Sequence, residues 1–168
     1  MGWSRKIEDA MNAQLGFELS SAYTYLSMAA YCEAESLPGF AHWLKLQYTE
    51  ELEHADKFFG FIIDRGGRVR LEGIDKPKTE FSSPLEIFEL SLENERAVTD
   101  AINELYTLTT KEQDYASQAF LNWFVTEQVE EEKMVTELID ALKRVGSSGE
   151  ALLLLDRELA RRTPEGEG

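Results

Sequence analysis

The chain has 168 residues, 43% of them apolar, and 32 acidic side chains against 17 basic ones give a formal net charge of −15. That length and apolar content support one folded domain over residues 1–168 with a core of its own, and argue against disorder. The charge argues against nucleic acid and anionic membrane as partners, since both need basic surface, and favours cations.

The first nine residues, Met1 to Asp9, are polar and charged, so no secretion signal is expected there. Nowhere does the chain hold the roughly 18 consecutive apolar residues of a membrane span. The first helix is predicted over residues 4–33, where Met11, Leu15, Ala22, Tyr25 and Ala29 recur at helical spacing with Glu18 among them. Cys32 is the sole cysteine, so neither an internal disulfide nor a thiolate cluster can form, and a reducing, cytoplasmic location is expected.

Leu37-Pro38-Gly39 interrupts the pattern, with Ser36 as the expected N-cap of a second helix over 38–65. Leu44, Gln47, Glu51, His54, Phe58 and Ile62 share its face, and Gly66-Gly67 ends it. Residues 67–83 lack helical period and read as a long crossover. A third helix, 84–110, opens on a Ser83-Pro84-Leu85-Glu86 capping box and carries Phe88, Leu92, Glu95, Val98, Ile102 and Leu105 on one face. Asp114 is placed to cap a fourth, 114–145, with Phe120, Phe124, Gln128, Glu131, Val135, Leu138 and Leu142 as its stripe. Ser147 and Glu150 suggest another capping box before a short fifth helix, 150–161, with leucines at 152–155. A disordered tail, 163–168, is expected after it.

Short links make the first and second helices antiparallel, and likewise the third and fourth. The long link lets the third run parallel to the second. The result is an all-α four-helix bundle with one long crossover, the ferritin-like topology, plus a short fifth helix.

The four long segments have midpoints near residues 18, 52, 97 and 130. Glu18, Glu51, His54, Glu95, Gln128 and Glu131 lie within about two residues of those midpoints, or ~3 Å along each axis. Glu51 and His54 are three apart and point the same way, as do Gln128 and Glu131. A lone core-facing acid is more often a satisfied structural group. Acids from all four helices at one height are harder to explain so, because each buried polar group needs a partner. Four carboxylates are neutralised by two divalent ions, and carboxylate and imidazole donors suit iron or manganese.

These residues resemble the ferritin family, and within it the non-haem prokaryotic ferritins, over almost the whole chain. The resemblance is carried by Phe17-Glu18-Leu19-Ser20-Ser21-Ala22-Tyr23, Glu51-Leu52-Glu53-His54, Glu95 and Glu127-Gln128-Val129-Glu130-Glu131. It implies one iron held by Glu18, Glu51 and His54, and a second, bridged by Glu51, held with Glu95 and Glu131. Gln128 would hydrogen-bond near the site. Glu50, Glu127 and Glu130 would form a third iron site, a solvated acidic face being the plain alternative. Tyr25 would supply an electron or proton, although an aromatic at its place in a stripe is more often core. The implied activity is oxidation of Fe(II) by oxygen or hydrogen peroxide, followed by storage as a ferric mineral in a homo-oligomeric cage, usually of 24 subunits.

Bacterioferritins resemble this chain less, because they carry a methionine haem ligand where Leu52 stands, so no haem is expected. Rubrerythrin-like proteins usually add a cysteine-rich iron domain that one cysteine cannot build, and the mini-ferritins lack the fifth helix. Two other readings stay open: a di-iron oxidase or peroxidase without storage, and a non-catalytic helical assembly whose buried acids are merely paired.

Overall fold

Five helices fill most of residues 3–164, the part of the chain described by the computed structural model: α1 Arg5–Ala34, α2 Pro38–Asp64, α3 Pro84–Lys111, α4 Tyr115–Val145 and α5 Gly149–Leu159. No strand occurs among the described residues. Of the expected tail, Thr163 and Pro164 are exposed and non-helical, and residues 165–168 lie outside the described residues.

Local chemistry sets most helix ends. Ser83 accepts the Glu86 N–H to open α3, and Asp114 accepts the Ser117 N–H to open α4. Two caps differ from expectation. Ser148, not Ser147, accepts the Ala151 N–H and caps α5. Ser36 does not cap α2, because it ends α1. It takes a φ of 59°, and the next amide, Leu37 N–H, reaches back to the Cys32 carbonyl at 2.9 Å. A left-handed residue cannot also be an extended N-cap. Leu37 therefore stands at the α2 N-cap with no side-chain oxygen to offer. Asp156 of α5 supplies it instead, its Oδ1 accepting the Phe40 N–H at 2.9 Å. Gly39 lets α5 come this close, since a Cβ there would lie 1.7 Å from the Asp156 carbonyl oxygen.

The crossover is fastened along α1. Asn12 donates to the Arg68 carbonyl and accepts the Arg70 N–H, Arg70 pairs with Glu8 and Asp9, and Ser27 donates to the Lys78 carbonyl at 2.7 Å. Asn12 to Ser27 spans about 22 Å of helix, which an extended chain covers between residues 68 and 78. Phe81 then buries against Tyr31 near the end of α1. So α3 starts beside the start of α2 and runs parallel to it. Met28–Ser91 and Tyr25–Glu95 contacts fix α1 antiparallel to α3.

The apolar core is divided. One cluster holds Met28, Cys32, Phe40, Leu44, Phe88, Val135 and Ile139. The other holds Met11, Leu15, Phe58, Ile62, Ile102 and Phe124. Along α4, Phe124, Val135 and Leu142 are buried as expected and are joined by Leu121 and Ile139, while the expected Phe120 and Leu138 sit at the margin, half-buried. Leu152 and Leu155 pack on the first cluster, and Leu153 and Leu154 face outward.

Candidate metal centre

Between the two clusters lies a polar layer. Glu18 from α1, Glu51 and His54 from α2, Glu95 from α3, and Gln128 and Glu131 from α4 are all at most 3% exposed. The ligating atoms of Glu18, Glu51 and His54 lie within 4.8 Å of one another, and so do those of His54, Glu127 and Glu131. His54 thus joins two groups of donors.

Part of this layer is satisfied from within. Gln14, one helical turn before Glu18, donates to its Oε1 at 2.8 Å. Gln47 donates to Glu131 Oε2 at 2.8 Å. Glu95 accepts from the Tyr25 hydroxyl at 2.5 Å and from Gln128 at 3.2 Å, one on each oxygen. Gln128 also donates to the Glu95 carbonyl and the Thr99 hydroxyl. The inward-facing atoms are not satisfied. Glu18 Oε2, both Glu51 oxygens, Glu131 Oε1 and His54 Nδ1 have no hydrogen-bond partner. The His54 Nδ1 atom lies 3.8 Å from Glu18 and 3.5 Å from Glu51, too far to hydrogen-bond. Buried polar atoms left this way cost about 1–3 kcal/mol each, and more when charged. A set of such atoms converging on one place is what a cation would satisfy, and its oxygen and imidazole chemistry suits iron.

The acid–base balance follows from the same crowding. Burial, with repulsion from Glu95 and Glu18, holds the Glu51 carboxyl well above the usual carboxylate range. Burial and the Glu95 charge do the same to Glu131, against the opposing hydrogen bond from Gln47. Burial pushes Glu95 up to about 7, although the Tyr25 and Gln128 hydrogen bonds oppose it. Burial lowers the His54 pKa, but the nearby Glu18, Glu131 and Glu127 carboxylates outweigh it and leave the imidazole easier to protonate than usual. Burial and the neighbouring acids hold the Tyr25 phenol well above its ordinary value, so it remains a donor.

The outer acids are placed differently from one another. Glu127, half-buried, comes beside His54 and Glu131. Glu50, 6% exposed, accepts the Arg162 guanidinium on both oxygens. Glu130 is exposed. Trp123 packs edge-on against His54 at 5.3 Å, with Lys57 over its ring. His42 is exposed, and its Nε2 meets the Arg162 carbonyl at 2.8 Å. Sequence reasoning left Gln14, Gln47, Thr99 and Arg162 without roles. Gln14 and Gln47 stand four residues before Glu18 and Glu51, a spacing that could have marked them. No local signal marks Arg162.

Residues 8–145 match the family model described as a ferritin-like domain. This chain belongs to the ferritin family. A bacterial non-heme ferritin of Staphylococcus saprophyticus is 43% identical over 160 residues, which cover 95% of this chain and 96% of that protein. One from Staphylococcus aureus is 41% identical over the same shares. Among solved structures, a closed form of the Archaeoglobus fulgidus ferritin engineered by site-directed mutagenesis superposes with a TM-score of 0.95. It is 44% identical, over 97% of this chain and 99% of that one. The open-pore ferritin of the same archaeon superposes at 0.94, also 44% identical, over 95% and 99%. The fold of this ferritin is thus a four-helix bundle with a short C-terminal helix, and none of its described helices is long and apolar enough to cross a membrane. The family match stops at residue 145, so α5, Asp156 and Arg162 lie beyond it.

Proposed function

We propose that this ferritin oxidises Fe(II) at a di-iron centre inside each subunit and delivers Fe(III) to a mineral held in a homo-oligomeric cage. Iron storage is the function its family membership gives it. The observation that carries the catalytic reading is the convergence of partnerless buried atoms on Glu18, Glu51, His54 and Glu131. In this reading Glu18, Glu51 and His54 bind one Fe(II), while Glu131 and Glu95 bind the second, with Glu51 between them. Two ions held together can pass electrons jointly to one molecule of oxygen or hydrogen peroxide. Carboxylates tolerate both oxidation states and take up the extra charge. The Tyr25 hydroxyl donates to Glu95 Oε1, which supports a role for Tyr25 in holding that carboxylate and for its phenol as a source of a proton or an electron. The proximity of Glu127 to His54 and Glu131 supports it as the outer acid that receives iron leaving the centre. A cage of 24 subunits, with cytoplasmic location and no haem, completes the reading.

The test is rapid mixing of the metal-free particle with Fe(II) and then oxygen, comparing wild type with Glu51→Gln. Fast oxidation should vanish in the variant, because the acid between the two ions loses its charge and one ligating oxygen. A wild-type rate would refute the centre. Oxidation limited to the first ions, with no retained mineral, would favour the oxidase without storage.

A further inference from the structure

Arg162 follows α5 by three residues and reaches into the acid layer from outside the bundle. One guanidinium nitrogen, Nη2, lies 2.6 Å from Gln47 Oε1, 3.0 Å from Glu50 Oε1 and 2.9 Å from Glu50 Oε2. The other, Nη1, donates to the Trp43 carbonyl at 3.2 Å, and the guanidinium lies 4.4 Å from the centre of the Trp43 ring. The side chains of Arg162 and Glu50 are 14% and 8% exposed, so this ion pair is largely shielded from solvent. Arginine stays charged and can only donate. Beside it, the Gln47 amide must turn its oxygen outward and its nitrogen inward, and that nitrogen is the donor to Glu131.

We propose that Arg162 is a built-in cation of this centre: it occupies at Glu50 the place a further metal ion would take, and through Gln47 it fixes the orientation of Glu131. The inference rests on the metal-centre reading above and adds a positioning residue to it. Glu50 is then no metal ligand while α5 is docked. Docking of α5 is itself secured far from the acids, where Asp156 caps α2 and Leu159 buries in the core. The fifth helix thereby sets how many cations the acid layer accepts.

The test is anaerobic titration with Co(II), followed by calorimetry and by the visible cobalt spectrum, on assembled particles. Wild-type chains should bind two Co(II) at the centre. Arg162→Gln should bind one more, and should alter the spectrum of the original sites as Gln47 loses its fixed orientation. The double variant Arg162→Gln/Glu50→Gln should lose the additional ion again. Glu50→Gln alone keeps Arg162 and α5, and should leave the wild-type stoichiometry unchanged. Loss of a Co(II) in that single variant would identify Glu50 as a ligand and overturn the proposal. So would Arg162→Gln particles of native mass and helicity that bind cobalt as wild type does. Wild-type chains that take up no Co(II) would sink the metal-centre reading itself, a different failure from either of these.

Discussion

Glu95 offers a way to weigh the electrostatic cost of burying the acid layer. Its carboxyl rises from an ordinary 4.5 to about 7 in the fold, chiefly because it is buried. At about 1.36 kcal/mol per pH unit, that rise corresponds to about 3 kcal/mol. The folded state binds this proton more tightly than the unfolded state does. Its stabilising contribution is therefore complete below pH 4.5 and is lost as pH climbs through about 7. For a chain of this size the loss translates to roughly 6–12 °C of melting temperature. Chelator-treated particles should be melted by calorimetry between pH 4.5 and 8, beside Glu95→Gln. The amide keeps an oxygen for the Tyr25 hydroxyl but cannot ionise. Wild type should lose stability relative to the variant across that window. Parallel curves for the two proteins, or a wild type that gains on the variant as pH rises, would refute the reasoning.

Because Glu51 and Glu131 also sit well above the usual carboxylate range, metal uptake near pH 6 should release protons. Calorimetry in two buffers of different ionisation enthalpy measures the number, and zero release would mean that the acids are already ionised. Asp156→Ala should cost about 0.5–2 kcal/mol as the α2 cap is lost, read from the urea midpoint. Gly39→Ala should cost more and speed hydrogen exchange over residues 149–162, since the added Cβ lies 1.7 Å from the Asp156 carbonyl oxygen. Unchanged exchange there would mean that α5 docks some other way. Tyr25→Phe removes one donor from Glu95 and should lower metal-free stability by about 1–3 kcal/mol, measured above pH 7; no change would mean that a water replaces the phenol. Glu130→Ala should leave initial Fe(II) oxidation intact in rapid mixing, its side chain being exposed, and a dead variant would make it a ligand.

Much of this is legible in sequence because it is local. A three- or four-residue apolar period marks a helix, Ser83 and Asp114 announce caps, and Gly66 announces a stop. Four acids at the helix midpoints meet once equal helices lie side by side, so Glu18, Glu51, Glu95 and Glu131 can be read in advance. Local rules also misled, at Ser36. A serine two residues before a proline that fits the first helical turn reads as an N-cap, yet the chain needed it as the left-handed end of α1.

The sequence by itself therefore determined the helices, their order and the chemistry of the central layer. Tertiary structure alone decided which oxygens stay partnerless, which carboxylates hold protons, and where the Arg162 guanidinium goes. Asp156 meets Phe40 across 116 residues, and Arg162 meets Glu50 across 112. Contacts of that separation leave no periodicity in the chain, because packing of α5 on α2, rather than any local conformation, brings them together.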